Sequence, residues 1–168
     1  VASGDDGRFP IACDLWPGES VVEVTILAAT DDGRVGVAVE TIYPLEPPAA
    51  AVTVRPGVTV RGRVTGERGE PLRGARVVLT RVYGAHHFGG AQPFPVGVSA
   101  KLAKRLSAVT DPAGRWLIDG VAAGGFEAAV ECDGYGPDRV RVLSSWMPGR
   151  ALAPDEYLTI LSPCGAVS

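Results

Sequence analysis

The sequence contains no asparagine, and that absence closes two kinds of covalent chemistry at once. N-glycosylation needs an Asn acceptor, and an intramolecular Lys–Asn isopeptide crosslink needs both partners. Lysine is nearly absent too, at Lys101 and Lys104 only, against fourteen arginines. With a net charge of −3 the chain lacks the strongly basic balance of a nucleic-acid-binding domain, so no nucleic-acid partner is expected. Its apolar runs are too short to cross a bilayer, and its first residues lack a basic stretch followed by an apolar one, so no membrane insertion is expected. The three cysteines, Cys13, Cys132 and Cys164, have no CxxC spacing and an odd count. They make neither a zinc site nor a complete disulfide framework, and spacing does not choose which pair would bridge. Imidazole occurs only at His86-His87, and neighbours in an extended segment point to opposite sides. The surrounding "YGAHHFGGAQPFP" adds no cysteine or carboxylate, so neither a metal nor another cofactor is expected. There is no Gly-x-Ser-x-Gly elbow and no Cys-His pairing that the sequence supports, so the chain is expected not to be an enzyme.

What the chain has is turn residues and β-formers. Its 168 residues hold 22 Gly and 14 Pro, and with 46% hydrophobic residues they can bury the core of one large or two small domains. Val58 to Thr65 places Val60, Gly62 and Val64 alternately with Arg61, Arg63 and Thr65, the period of a strand with one dry face and one wet face. "TGERGEPLRGA" then supplies a turn, and Ala75 to Val82 a second strand. Further strands are expected at Ser107 to Thr110, Arg115 to Ile118, Phe126 to Glu131 and Arg139 to Leu143. Within the long stretch Tyr83 to Leu106, "SAKLAKRL" is the one short helix.

Part of this plan recurs. Gly7-Arg8-Phe9 overlays Gly114-Arg115-Trp116 at a separation of 114 − 7 = 107 residues, and Gly165 overlays Gly57 at 165 − 57 = 108. Strands at Arg8–Ala12, Val21–Ala28 and Val35–Ile42 would then be the closing strands of an earlier unit. The expected division is residues 1–46 as the C-terminal half of a first sandwich repeat, 47–51 as a Pro/Ala-rich linker, 52–149 as a complete domain, and 150–168 as a connector and the first strand of a next repeat. Half a sandwich leaves an unpaired strand edge. The expected partners are therefore neighbouring repeats of the same or a longer chain, or other copies in a homo-oligomer or filament formed by strand complementation.

The ordered set Gly62 and Val64, Gly69 and Pro71-Leu72, Gly74-Ala75, Thr110-Asp111, Gly114 and Trp116, Gly120-Val121, Gly124 and Gly134-Tyr135 resembles the carboxypeptidase regulatory-like domain, a transthyretin-like sandwich. The match covers roughly Val58 to Val142; the insert at 84–106 is longer than the family's usual link. The resemblance implies an all-β, Ig-like or prealbumin-like antiparallel β-sandwich, one complete domain plus a partial repeat. It also implies a non-catalytic structural or spacer role in a larger protein at the cell surface, secreted or periplasmic. Hydroxyisourate hydrolases share the related fold, but their C-terminal Tyr-Arg-Gly-Ser signature is missing here. In "TDPAG", Gly114 suits a positive φ and Asp111 an Asx cap, so that stretch reads as architecture.

The alternative is a carbohydrate- or protein-binding module. Its candidate surfaces are the insert, with His86, His87, Phe88 and Phe94, or an arginine-rich sheet face. That face would carry Arg61, Arg63 and Arg76, joined by Arg139 and Arg141 if their strands are neighbours, with Glu67, Glu70 and Asp138 as pairing carboxylates. Exposure of Trp146, Trp16 or Phe94 along one face would favour this alternative, and burial of all three would count against it. The acidic pairs Asp5-Asp6 and Asp31-Asp32 offer too few oxygens for calcium and read as turn residues.

Overall fold

The computed structural model describes residues 7–10, 22–42, 50–83, 95–122, 125–142 and 157–164. The alternation of Val58–Thr65 becomes strand β4 (Val58–Gly66), with Val60 and Val64 buried and Arg61 exposed. Around it run β1 (Val22–Ala29), β2 (Arg34–Ile42), β3 (Arg55–Pro56), β5 (Arg76–Tyr83) and β6 (Pro95–Gly97). Then follow the helix α1 (Ala100–Arg105), β7 (Ser107–Val109), β8 (Arg115–Val121), β9 (Gly125–Glu131), β10 (Asp138–Val142) and β11 (Tyr157–Leu161). The expected strand at Arg8–Ala12 falls partly outside the described residues, and Arg8 to Pro10 are in no strand.

Two sheets make the central sandwich. One has the order β11-β4-β8; the other runs β10-β9-β5-β6, with β7 also pairing β5. Their inner faces meet in one cluster. Val60, Val64, Trp116, Ile118 and Leu161 come from the first sheet, and Val77, Leu79, Phe126, Ala128 and Val130 from the second. The all-β sandwich expected from the sequence is present. One of its ladders is parallel rather than antiparallel: β11 lies beside β4 with Tyr157 opposite Gly62 and Leu161 opposite Gly66. A chain can reach a parallel neighbour only after a long connection, and here β5 to β10 all lie between β4 and β11 in sequence.

Gly62 sits between Tyr157 of β11 and Trp116 of β8. A Cβ there would lie 2.5 Å from the Trp116 ring and 2.4 Å from the Tyr157 carbonyl oxygen, so glycine is what lets the indole lie flat across β4. The turn before β8 is fixed in the same way. Gly114 has φ +75°, and its carbonyl accepts from the Val64 amide at 2.8 Å. Asp111 caps the turn, accepting from the amides of Ala113 at 2.8 Å and Arg115 at 2.9 Å. Thr110, buried, accepts from the Ala75 amide and donates to the Leu72 carbonyl. Thr110, Asp111, Ala113 and Gly114 of "TDPAG" all spend polar groups on fastening turns to strands, so the stretch is architectural.

A third sheet, β1-β2-β3, stands beside the sandwich. Its Leu27 and Val37 pack against the central core. The β1–β2 turn shares three hydrogen bonds with the turn before β8. Thr30 stands where Asp111 stands: its amide donates to Arg34 O at 2.9 Å, and its hydroxyl oxygen accepts from the Arg34 amide at 3.1 Å. The α1 helix starts at Ser99, whose side chain accepts from the Leu102 amide, and ends with Lys104 and Arg105 at its negative pole.

Candidate functional site

Strand pairing decides which arginines share a surface. Arg61 and Arg63 lie on β4 in one sheet, whereas Arg139 and Arg141 lie on β10 in the other, so these two pairs do not form a common patch. Arg61 is exposed. Arg63 is half-buried and its Nε donates to the Ala113 carbonyl at 3.1 Å, in register with Arg115 of β8. Arg115 is engaged in turn by Asp111 at 3.0 Å. This face also carries the exposed apolar side chains Leu117, Leu158 and Ile160.

The arginines that do converge are Arg81, Arg139 and Arg141. Arg81 of β5 and Arg141 of β10 both lie directly opposite Glu127 of β9, and Arg139 stands one side-chain pair farther along β10. Because Phe126, Ala128 and Val130 point into the core, Glu127 points to the outer face of this sheet. Its side chain is nonetheless only 9% exposed. Arg81 reaches one carboxylate oxygen at 3.6 Å and Arg139 the other at 3.5 Å. The Tyr83 hydroxyl and the Thr80 hydroxyl each donate to the carboxylate at 3.4 Å. The Arg141 guanidinium lies over the Tyr83 ring, 5.1 Å from its centroid. A carboxylate removed from water needs such compensation, and here four donors supply it.

Glu127 was not legible as a member of this cluster, since "GFEAAVE" shows only an alternating strand. Of the carboxylates near the arginines in sequence, Glu70 accepts from the Tyr135 hydroxyl at 3.4 Å, Asp138 from the Arg139 amide at 2.7 Å, and Glu67 is exposed. His86, His87, Phe88 and Phe94 lie outside the described residues, as do Trp16, Trp146, Asp5, Asp6 and Cys13. Of the acidic pairs, Asp32 accepts from the Thr30 hydroxyl and pairs with Arg34 at 3.0 Å. The Thr30 hydroxyl bond, with Arg34 beside it, holds the Asp32 carboxyl below its ordinary range.

An open cleft of about 610 Å³ lies at the seam between the β1–β2 turn and β8, lined by Asp32, Arg34, Gly57, Arg105 and Asp119 among others. Its charged side chains already have protein partners, Asp32 pairing with Arg34 at 3.0 Å. Asp119 accepts from the Thr59 hydroxyl at 2.5 Å, and Arg105 donates to the Thr30 carbonyl at 2.6 Å. The last of these bonds ties the third sheet to the sandwich. Among the described residues no three of His, Cys, Asp and Glu gather as a metal site, and no helix is long and apolar enough to cross a membrane.

A family model described as the carboxypeptidase regulatory-like domain matches residues 59–145, more than half of the chain. No curated protein matches. Among solved structures, the chain is similar to the shaft pilin SpaA from Lactobacillus rhamnosus GG in two mutant forms. For the double mutant the identity is 12% and the TM-score 0.41, over 84% of this chain and 62% of that one. For a single mutant they are 13% and 0.40, over 85% and 70%. The chain thus spans less than two thirds of the length of the first of these structures.

Proposed function

The chain belongs to the carboxypeptidase regulatory-like domain family, and from that premise we propose that it is a non-catalytic structural module, a stiff spacer in a larger protein that is secreted, periplasmic or at the cell surface. The observation that carries the reading is the passage from one sheet to the next. β3 is hydrogen-bonded to β2 in the third sheet, and after the single residue Gly57 the chain is already β4 of the sandwich. A link that is itself a strand at both ends has little of the freedom of a flexible linker. Arg105 clamps the same seam through Thr30.

The tandem reading is part of this proposal. Residues 1–46 are taken as the closing half of one repeat and 47–51 as the link. The central unit begins at residue 52, and we extend it to take in β11, because β11 pairs with β4 and buries Leu161. Support comes from Gly7 and Gly114, which the 107-residue register aligns and which share φ +75°. Neighbouring repeats, or further copies supplying the missing strands, are the partners this reading requires.

Small-angle X-ray scattering on the whole chain, with and without a Gly-Ser insertion after Gly57, tests the spacer. The insertion is expected to broaden the distance distribution and lengthen the maximum dimension. Identical profiles would show that the native link is already loose and would overturn the proposal.

A further inference from the structure

We infer that the outer face of the β10-β9-β5 sheet is a docking surface for an extended acidic polypeptide segment, whose carboxylates are taken up by Arg81, Arg139 and Arg141. The inference goes beyond the spacer role and does not depend on it. Its first support is charge. On this face the register places Arg76, Arg81, Arg139 and Arg141 among two carboxylates, Glu127 and Glu131, so the patch carries 4 − 2 = +2 on a chain whose net charge is −3. A local excess of positive charge against the sign of the whole chain attracts and orients an acidic partner.

The second support is preorganisation. The buried Glu127 carboxylate holds Arg81 and Arg139 by one terminal nitrogen each, at 3.6 and 3.5 Å, and a guanidinium has five donors. Both side chains remain outward, 49% and 71% exposed, with the rest of their fork available to a carboxylate. Arg141 is steadied over Tyr83. Ordering three long side chains in advance lowers the entropy lost when a ligand binds.

The third support selects the class of partner. Arg139 and Arg141 stand two residues apart on a strand, about 6.5–7 Å, and Arg81 lies two strands away, roughly 9–10 Å. Alternate side chains of an extended peptide recur at that same two-residue interval. A sugar polymer would instead need ring faces to stack on, and among the described residues no aromatic ring is exposed: Tyr83, Trp116 and Phe126 are buried, Phe9, Tyr135 and Tyr157 half-buried.

The test is fluorescence anisotropy of a labelled peptide alternating Glu and Thr, titrated with the whole chain. Saturable binding is expected, weakening as salt rises. Substituting Arg139→Ala together with Arg141→Ala should weaken binding about tenfold or more, whereas Arg61→Ala with Arg63→Ala on the opposite sheet should leave it within about twofold. The single change Arg141→Gln leaves both Glu127 ion pairs in place and provides a variant whose folding is little at risk; it should weaken binding measurably with a melting temperature within about 2 °C of the parent. Equal binding by all variants, no binding of the peptide, or polygalacturonate binding tighter than the peptide would each overturn the inference.

Discussion

Replacing Leu161 by alanine should destabilise the central sandwich as severely as any core truncation, although Leu161 lies in a strand separated from β10 by a long connection. Its side chain is fully buried, in one cluster with Val64, Trp116 and Phe126. Leu→Ala at such a site costs about 2–5 kcal/mol, the lost transfer energy plus the cavity left behind. For a domain of this size each kcal/mol lowers the melting temperature by about 4–8 °C, so a loss near 3 kcal/mol should lower it by roughly 12–24 °C. Leu158 is the internal control. It is on the same strand, three residues away, but 62% exposed, and Leu158→Ala should fall within about 0.5 kcal/mol of the parent. Thermal unfolding followed by near-ultraviolet circular dichroism reads both. If Leu161→Ala melts within 2 °C of the parent, taking about 0.5 kcal/mol as the resolvable limit, β11 is not part of the sandwich and the reasoning fails.

Gly62→Ala should cost about 1–3 kcal/mol, because its Cβ must displace the Trp116 ring or the Tyr157 carbonyl; urea unfolding measures it, and an unchanged midpoint would refute the packing described. Thr159→Val should leave stability unchanged or raise it by about 1 kcal/mol, since the buried Thr159 hydroxyl has no hydrogen-bond partner among the described residues; a loss of stability on calorimetry would contradict this. The Asp111 carboxyl is held below its ordinary value of 3.8 chiefly by the Arg115 amide. Its folded pKa is depressed, so its contribution is present above 3.8 and lost as pH falls through the folded value; the melting-temperature gap between the parent and Asp111→Ala should close in acid, and a gap constant with pH would count against it. Burial and the neighbouring Asp133 push the Cys132 thiol up, whereas Cys164 is exposed, so iodoacetamide should label Cys164 before Cys132 by peptide mass spectrometry; the reverse order would place Cys132 at the surface.

Local pattern carried much of the central sandwich. The alternation around Val60 and Val64, the turn at Gly114 and the helix at Ser99 are all set by residues near one another in sequence, and each stands where its residues imply. What depends on pairing between distant strands was not legible. "LTIL" reads as a strand, but nothing in it names β4 as its parallel neighbour. The arginine surface shows the same limit. The i, i+2 spacing of Arg139 and Arg141 is visible, yet whether they meet Arg63 or Arg81 depends on sheet order, and the carboxylate that joins them, Glu127, comes from the strand between.

The central claim is that the third sheet and the sandwich form one stiff body across Gly57, and residual dipolar couplings of the whole chain test it most directly. Amide couplings from β1 and β2 should fit the same alignment tensor, in magnitude and orientation, as those from β4, β5, β8 and β9. Two tensors of different magnitude would mean that the units reorient independently, and the spacer reading would be contradicted.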